Sequence, residues 1–268
     1  MTDILRKSMA PLTDAAWAVV DEQARRTLRG NLSARRVVDF SGPHGWEYAA
    51  VNLGRVKPAA KEALPGVAWG VRQTQPMVEA RVPFALGLWE LDDITRGARD
   101  LDLGALCVAA RKAAIFEETA LYRGFESGGI TGILQATPHK AVAVSARAEA
   151  LATAVETGLV EIEKAGVGGP FALALGTELY PVLMAGESSG YPVRKRIEAF
   201  FKSVHWSPVV TGGVILSARG GDFELTVGQD WGVGYQAHDT ENVRLYLTQS
   251  FTFRVIEPAA AIELKLKK

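Results

Sequence analysis

Residues 242–258 read "NVRLYLTQSFTFRVIEP", and apolar residues fall at every second position through most of this stretch. They are Val243, Leu245, Leu247, Phe251, Phe253 and Val255. A strand with one buried face has this period, because successive side chains point to opposite sides of the sheet. The alternation runs longer than a typical strand. We therefore predict an unusually long strand in a sheet near the end of the chain.

A second alternating run begins at residue 78 and leads into the sequence "FALGLWELDDITRG", residues 84–97. Its apolar positions are Val78, Ala80, Val82, Phe84, Leu86 and Leu88. Pro83 cannot donate a hydrogen bond to a neighbouring strand, so we expect this strand to be at an edge there. Arg81 and Trp89 have the same parity in the pattern, and one face of the strand would present both.

Three acids, Glu90, Asp92 and Asp93, directly follow that tryptophan. Paired carboxylates beside an aromatic ring would suit general acid–base chemistry. Acids in the first turn of a helix are also explained by the helix dipole alone. We favour the helical interpretation and expect Asp92 and Asp93 to lie near Arg96.

Helical spacing dominates three other segments. Residues 13–30 have an apolar stripe, with Thr13 as a candidate N-cap. Residues 102–124 form a long helix in which Glu117 falls on the apolar stripe and Glu118 is expected to face solvent. Residues 145–166 form a third. The stripe residues of the first helix are Trp17, Val20, Ala24 and Leu28.

The order of elements is mixed and predicts an α+β fold. The order is not the regular alternation of strand and helix that a Rossmann fold or an α/β barrel requires. The stretch "KPAAKEALPG" is rich in proline, glycine and charge, which predicts a projecting loop between two extended segments. An α/β segment near 136–220 is expected to be inserted between two parts of another domain.

Composition narrows the function classes. The chain has 268 residues, 48% hydrophobic and 22% charged, with zero formal net charge. Neutral charge gives no case for nucleic acid or a charged membrane surface as a partner. The first residues lack the apolar core of a signal peptide, and no apolar run approaches membrane-spanning length. The single cysteine, Cys107, excludes an internal disulfide.

The strongest catalytic pattern is "GESSG", which places Ser188 where serine hydrolases have their nucleophile, with Asp230 and His238 in the matching chain order. That motif requires a strand before the serine and a helix after it. Here the preceding "TELYPVLMA" has a helical pattern, so the context fails. The four histidines are scattered, and no metal site or catalytic group is expected.

Long motifs along the whole chain resemble those of encapsulin shell proteins, also called linocin-type bacteriocins. These motifs are "APLTDAAW", "ARRVVDF", "GPHGWEYAAVNLGRV", "LWELDDITRG", "GYPVRKRIEAFF", "RGGDFELTVGQDWGVGY" and "VRLYLTQSFTFRVIEP". The resemblance implies the Hong Kong 97-type phage capsid fold, with a peripheral domain, an extended E-loop and an axial domain. On this basis residues 1–45, 81–135 and 223–268 would be peripheral, residues 46–80 the E-loop and residues 136–222 axial.

The resemblance also implies a function. About sixty copies would form a closed icosahedral nanocompartment in the cytoplasm of a bacterium or archaeon. Its cargo would be a ferritin-like iron oxidase or a dye-decolourising peroxidase, serving iron storage or defence against oxidative stress. The shell itself would not be an enzyme. A serine hydrolase acting through Ser188 and a genuine phage major capsid protein are the alternatives.

Three sets of site residues follow from the resemblance. A C-terminal peptide of the cargo would dock in the stretch "LRGNLSARRVVD", on Leu28, Leu32, Arg35, Val38 and Asp39, with Tyr235 closing the pocket. A five-fold pore would be lined by Glu187, Ser188, Ser189, Gly190 and Tyr191. A flavin (FMN or riboflavin) would stack on Trp89 with Arg81 near its phosphate, or Trp89 would pack at a subunit interface instead.

Overall fold

A long antiparallel strand organises the larger half of the molecule. The structure is a computed structural model that describes residues 4–188 and 191–267, with only the backbone at Ser188 and Tyr191. In chain order the described helices are α1 (Asp14–Asn31), α2 (Leu88–Arg96), α3 (Gly104–Arg123), α4 (Ile133–Ala136), α5 (Ala148–Lys164), α6 (Leu179–Ala185) and α7 (Val193–Glu198). The described strands are β1 (Asp39–Ser41), β2 (Ala50–Pro58), β3 (Gly70–Pro76), β4 (Val78–Gly87), β5 (Val142–Val144), β6 (Phe171–Leu175), β7 (Glu187–Ser188), β8 (Tyr191–Pro192), β9 (Phe201–Trp206), β10 (Gly212–Ser217), β11 (Phe223–Val227), β12 (Gly232–His238), β13 (Asn242–Val255) and β14 (Ala261–Leu266).

The first sheet is built around β13, as the alternation in its sequence predicts. One side of β13 pairs antiparallel with β4 along ten positions, from Asn242 opposite Gly87 to Phe251 opposite Val78. The other side pairs with β12 and then with β11, to which β1 adds in parallel. Because β4 pairs with β13 alone among the described strands, Pro83 lies on an edge strand, which confirms that prediction.

Two helices cover one face of this sheet. Thr13 caps α1 by accepting a hydrogen bond from the backbone N–H of Ala16 at 3.2 Å. Trp17 and Leu28, at the two ends of the apolar stripe of α1, are both buried. α3 lies between α1 and β4 and contributes Leu106, which is fully buried. The sequence pattern therefore predicted both helices and the apolar stripe that each one buries.

The hairpin formed by β2 and β3 projects from this body. Its strands pair with each other and have few contacts with other elements of the described chain. Several large apolar side chains along it are at least 47% exposed, which is unusual for an isolated subunit in water. They are Val56, Leu64, Val67, Trp69 and Val71.

A second sheet forms the other half, with the order β5-β14-β10-β6-β9. β14 pairs antiparallel with β10 and parallel with β5, so the last strand belongs to the sheet of the inserted α/β segment. The resemblance implies that residues 223–268 are peripheral, and residues 261–266 pair with strands of the segment that it implies to be axial. The chain crosses over after Glu257, and Ile262 and Leu264 are buried in the core beneath α5.

The first sheet also differs from expectation at its entry. The stretch "RRVVDF" predicts a short strand, but Ala34–Arg36 forms a 3₁₀ turn and the strand begins only at Asp39. This turn exists because Glu118 accepts the backbone N–H of Ala34 and holds the chain there. Among the described residues, no helix is both long and apolar enough to cross a membrane.

Candidate functional site

A cleft with a volume of about 700 Å³ opens between the C-terminal half of α1 and the start of β12. Its apolar lining comes from Ala24, Leu28, Leu32, Val233 and Leu247. All five are buried, so they belong to the core and also form the floor of the cleft. Charged side chains line the rest: Lys7, Asp21, Arg25, Arg29, Arg35, Arg36 and Asp230. An apolar floor with a polar margin suits a short amphipathic ligand.

One wall of the cleft is an ion-pair network around Glu117, which is fully buried. The guanidinium of Arg35 donates to both carboxylate oxygens of Glu117, from Nε at 2.6 Å and from Nη2 at 2.7 Å. Nη2 also reaches Asp230 at 2.9 Å, and the indole N–H of Trp231 donates to Glu117 at 2.9 Å. Burial by itself would lower the pKa of Arg35, but the hydrogen bonds and charges of Glu117 and Asp230 raise it above its ordinary value. Arg35 is therefore a fixed cation.

Only some of the cargo-peptide residues that the resemblance implies line this cleft together. Leu28, Leu32 and Arg35 line it together. Val38 and Asp39 line a second cleft instead, because the 3₁₀ turn directs the chain away from α1. Tyr235 is buried, and its hydroxyl is hydrogen-bonded to Nδ1 of His238 at 2.6 Å, so it does not close the larger cleft.

The N-terminal segment is a wall that the sequence pattern did not reveal. The carbonyl of Leu5 accepts the N–H of Tyr235 at 2.8 Å, which fixes this segment against β12. Lys7 pairs with Asp21 at 2.6 Å, and its ammonium lies 4.7 Å from the ring centroid of Trp17. Neither Lys7 nor Asp21 belongs to one of the motifs, and no spacing rule connects these two residues. The motif "RGGDFELTVGQDWGVGY" did contain Asp230 and Trp231, but the sequence linked neither residue to this cleft.

Glu118 is fully buried, so the expectation that it faces solvent is wrong. Its carboxylate accepts hydrogen bonds from the Ser33 hydroxyl at 2.5 Å, the Ala34 N–H at 2.7 Å and the Ser207 hydroxyl at 3.1 Å. Burial raises the pKa of the Glu118 carboxyl to about 7, although these hydrogen bonds lower it. Ser207 follows β9, so this one carboxyl joins the first helix pair to the second sheet.

The structure separates Trp89 from Arg81. β4 ends at Gly87 and helix α2 begins at Leu88, so strand parity does not extend to Trp89, and the shared-face argument is wrong. The Arg81 guanidinium lies 4.7 Å from the centroid of the Tyr246 ring and pairs with Glu79. Trp89 is 77% exposed, and Arg96 is the cation next to its ring, at 5.8 Å.

The acids after Trp89 have structural roles. Glu90 lies in the first turn of α2 and accepts the backbone N–H of Asp102 at 2.6 Å. Asp93 forms an ion pair with Arg96 at 2.6 Å, which confirms the expected proximity for this residue. These contacts support the helical interpretation of the cluster and leave no paired carboxylates for acid–base work.

The "GESSG" segment enters β7 after helix α6, and β7 pairs antiparallel with β8. Glu187 is exposed there, Ser189 and Gly190 lie outside the described residues, and so do the side chains of Ser188 and Tyr191. The helix before Ser188 breaks the hydrolase pattern, as the sequence indicates.

The other two residues of the hydrolase pattern, Asp230 and His238, form hydrogen bonds elsewhere in the molecule. Asp230 bonds to Arg35, and His238 bonds to Tyr235. Neither contact belongs to the β7–β8 hairpin that carries Ser188.

Two solved capsid-like structures align with most of the chain. A virus-like particle from Pyrococcus furiosus aligns with a TM-score of 0.60 and 17% identity, covering 92% of this chain and 97% of that chain. The capsid of the Myoviridae phage XM1 aligns with a TM-score of 0.55 and 13% identity, covering 87% and 91%. The fold is thus the Hong Kong 97-type capsid fold.

The sequence comparisons identify the family within this fold. A family model described as "Encapsulating protein for peroxidase" matches residues 1–252. A type 1 encapsulin shell protein of Rhodospirillum rubrum is 42% identical over 272 residues, covering 99% of this chain and 97% of the relative. One from Mycobacterium tuberculosis is 35% identical over 261 residues, covering 97% and 98%. The chain belongs to the encapsulin shell protein family, and it is a structural subunit of a nanocompartment, not an enzyme.

Proposed function

We propose that about sixty copies of this chain close into the smallest icosahedral shell and that the shell holds a cargo protein by a C-terminal peptide of that cargo. The assembly part of this proposal is supported by the exposed apolar surface of the β2–β3 hairpin. The hairpin exposes Leu64, Trp69 and Val71, and it has few contacts with other elements of the described chain. A neighbouring copy would bury this surface and repay the entropy of association.

The larger cleft supports the docking part of the proposal. Its floor is apolar, and Leu28 and Leu32 supply it. A short peptide buries little area there, so each site binds weakly, and many sites acting on a multimeric cargo would provide avidity. The description of the matching family names a peroxidase as what its members encapsulate. We propose a dye-decolourising peroxidase or a ferritin-like iron oxidase as cargo, in a cytoplasmic compartment.

The β7–β8 hairpin would lie at the five-fold channel of such a shell. Glu187 is exposed on it, and a five-fold ring of its carboxylates would favour cations over anions.

A flavin at Trp89 remains part of the proposal, with one change of residue. Trp89 offers an exposed indole for stacking, and Arg96 is the cation beside it. Arg81 does not fit the role, because it lies on β4 with its guanidinium over the Tyr246 ring and not beside Trp89.

Electron microscopy of the purified protein tests assembly, and cargo that co-purifies with the shell tests docking. Arg29 is exposed and lines the larger cleft, whereas Arg26, on the same helix, is exposed but does not line it. Arg29→Trp should fill the cleft and remove the cargo from intact shells, and Arg26→Trp should leave it. Particles that load equally well with both variants would overturn the docking site, and a monomeric wild-type protein would overturn the assembly.

A further inference from the structure

We infer that a second, smaller cleft binds a carboxylate group of the same peptide that docks in the larger one. This inference rests on the proposed function, since it takes the larger cleft to hold a cargo peptide. The second cleft has a volume of about 330 Å³ and lies between residues 36–39, strand β9 and the turn that joins β10 to β11.

The two clefts share a residue. Arg36 lines both, and it is exposed on the 3₁₀ turn between them. Its Nη2 donates to the backbone carbonyl of Arg29 at 2.8 Å, which holds the guanidinium on the rim of the larger cleft. A peptide that leaves the apolar floor in an extended conformation toward this rim meets Arg36 first and then enters the smaller cleft.

The acids of the smaller cleft are already engaged. Asp222 accepts two hydrogen bonds from the guanidinium of Arg219, at 2.8 and 2.9 Å. This pairing neutralises its charge. Asp39 accepts the backbone N–H of Gly221 at 2.5 Å, which holds its carboxylate toward the turn.

The cations of the cleft have no such partner. Within the described chain, neither Arg36 nor Lys202 has a carboxylate at ion-pair distance. Two positive charges thus face the single charge of Asp39, and one positive charge is left over. A carboxylate completes the balance, and a charge-assisted hydrogen bond to lysine or arginine is the strong kind.

Neutral donors complete the site. His205 also lines the cleft, and its pKa is lowered by burial and by the charge of Arg36. At neutral pH it is therefore a neutral ring that donates one hydrogen bond without adding charge. The hydroxyls of Ser203 and Ser217 line the same cleft. The two clefts adjoin at Arg36, so a peptide held in the larger cleft is the ligand that brings a carboxylate to the smaller one.

The carboxylate has two sources in a peptide: the C-terminus and an acidic side chain. The probe is the last dozen residues of the cargo that co-purifies with the shell, identified by mass spectrometry and synthesised with an N-terminal fluorophore. Three forms are compared: the free acid, the C-terminal amide, and a form in which any Asp or Glu becomes Asn or Gln. Shells are opened in guanidinium chloride and reassembled over a range of peptide concentrations, and the retained fluorescence is measured after gel filtration.

We expect one of the amide forms to bind about tenfold more weakly than the free acid, as the loss of a charge-assisted hydrogen bond predicts. That difference should disappear in Lys202→Gln and Arg36→Gln shells and persist in Lys140→Gln shells, where an exposed lysine outside both clefts is changed. Equal binding of all three forms, or a difference that Lys202→Gln leaves unchanged, overturns the carboxylate site. If Arg29→Trp still blocks the peptide in that case, the docking cleft stands without it. If the free acid does not bind wild-type shells, the docking proposal fails and takes this site with it.

Discussion

Arg35 and Glu117 form a two-point ion pair across 82 positions of the chain, and Glu117 is fully buried beneath it. A buried carboxylate is tolerable only while its partner remains, because an unpaired charge in the interior is costly. The wall of the larger cleft therefore also holds the turn at 34–36 against the long helix α3.

Arg35→Met should destabilise the subunit by about 3–5 kcal/mol, since it leaves Glu117 buried without its cation. Changing Glu117 to Gln in the same protein should recover part of this loss. The measurement is the midpoint of urea unfolding for each variant. Arg25→Met is the matched control, because Arg25 and its partner Glu22 are exposed. It should cost less than about 1 kcal/mol. Equal losses from the two single substitutions would mean that the buried pair contributes nothing special.

Glu118 predicts a pH dependence of stability. Its folded-state pKa of about 7 lies above the usual value of 4.5, chiefly through burial, with the charge of Glu117 adding to the effect. The folded protein therefore holds the proton more tightly than the unfolded chain does. The stabilising contribution is complete below pH 4.5, declines as the pH rises, and is lost above about pH 7, a change of about 3 kcal/mol.

The isosteric change Glu118→Gln cannot ionise, so the variant should lose less stability than the wild type between pH 5 and pH 8. Unfolding by urea across this range measures the difference directly, and subtracting the wild-type curve cancels the contribution of His205. Glu126→Gln removes an exposed carboxyl just beyond α3 and should change nothing. Parallel curves for wild type and Glu118→Gln would mean that Glu118 does not titrate in this window.

The sequence predicted those parts of the fold whose pattern is local. The alternation around Leu245 and Phe253 gave β13, and the stripe through Trp17 and Leu28 gave α1. The partner of a strand is not a local property. β14 has its own alternation, but nothing in 261–266 states that it pairs with β10 and not with β13.

The contacts of the candidate site were harder to predict from the sequence, because they too join residues that are far apart in the chain. A glutamate in a helix is normally solvated, and the donors that bury Glu118 come from Ser33 and Ser207, each more than 80 positions away. Trp89 and Arg81 were paired by strand parity, which holds only while the strand continues, and the helix begins between them.

Removing residues 58–66, the tip of the β2–β3 hairpin, should reduce assembly while leaving the subunit folded. The hairpin has few contacts with the other described elements of its chain, and its tip exposes Leu64. Gel filtration should therefore show small species that retain a cooperative unfolding transition. Lys61→Gln, a polar change in the same tip, should assemble normally. Intact shells from the deletion would contradict the role of the hairpin in assembly.

Glu187→Lys should slow the entry of iron into loaded shells. Reversing the charge of a ring at the five-fold channel would repel cations where the wild type attracts them, and the effect should weaken at high salt. Stopped-flow oxidation of Fe²⁺ by shells that contain an iron-oxidising cargo measures entry. Glu163→Lys reverses an exposed charge at the end of α5 and is the matched control. Free cargo must react equally fast in all preparations. Unchanged uptake with Glu187→Lys would place the hairpin away from the channel.

Trp89→Ala should remove any bound flavin, because stacking on the exposed indole would be its main contact. Purified shells, or shells incubated with added FMN, should show the blue absorbance of oxidised flavin, and the variant should lack it. Two arginine variants test which cation lies beside a flavin on Trp89: Arg96, as the structure indicates, or Arg81, as strand parity predicted. Arg96→Gln should weaken retention, since Arg96 lies beside the ring, and Arg81→Gln should not, since Tyr246 holds that guanidinium on β4. Loss of flavin with Arg81→Gln alone would reverse this assignment. Colourless shells that do not take up FMN would leave Trp89 as a contact between subunits.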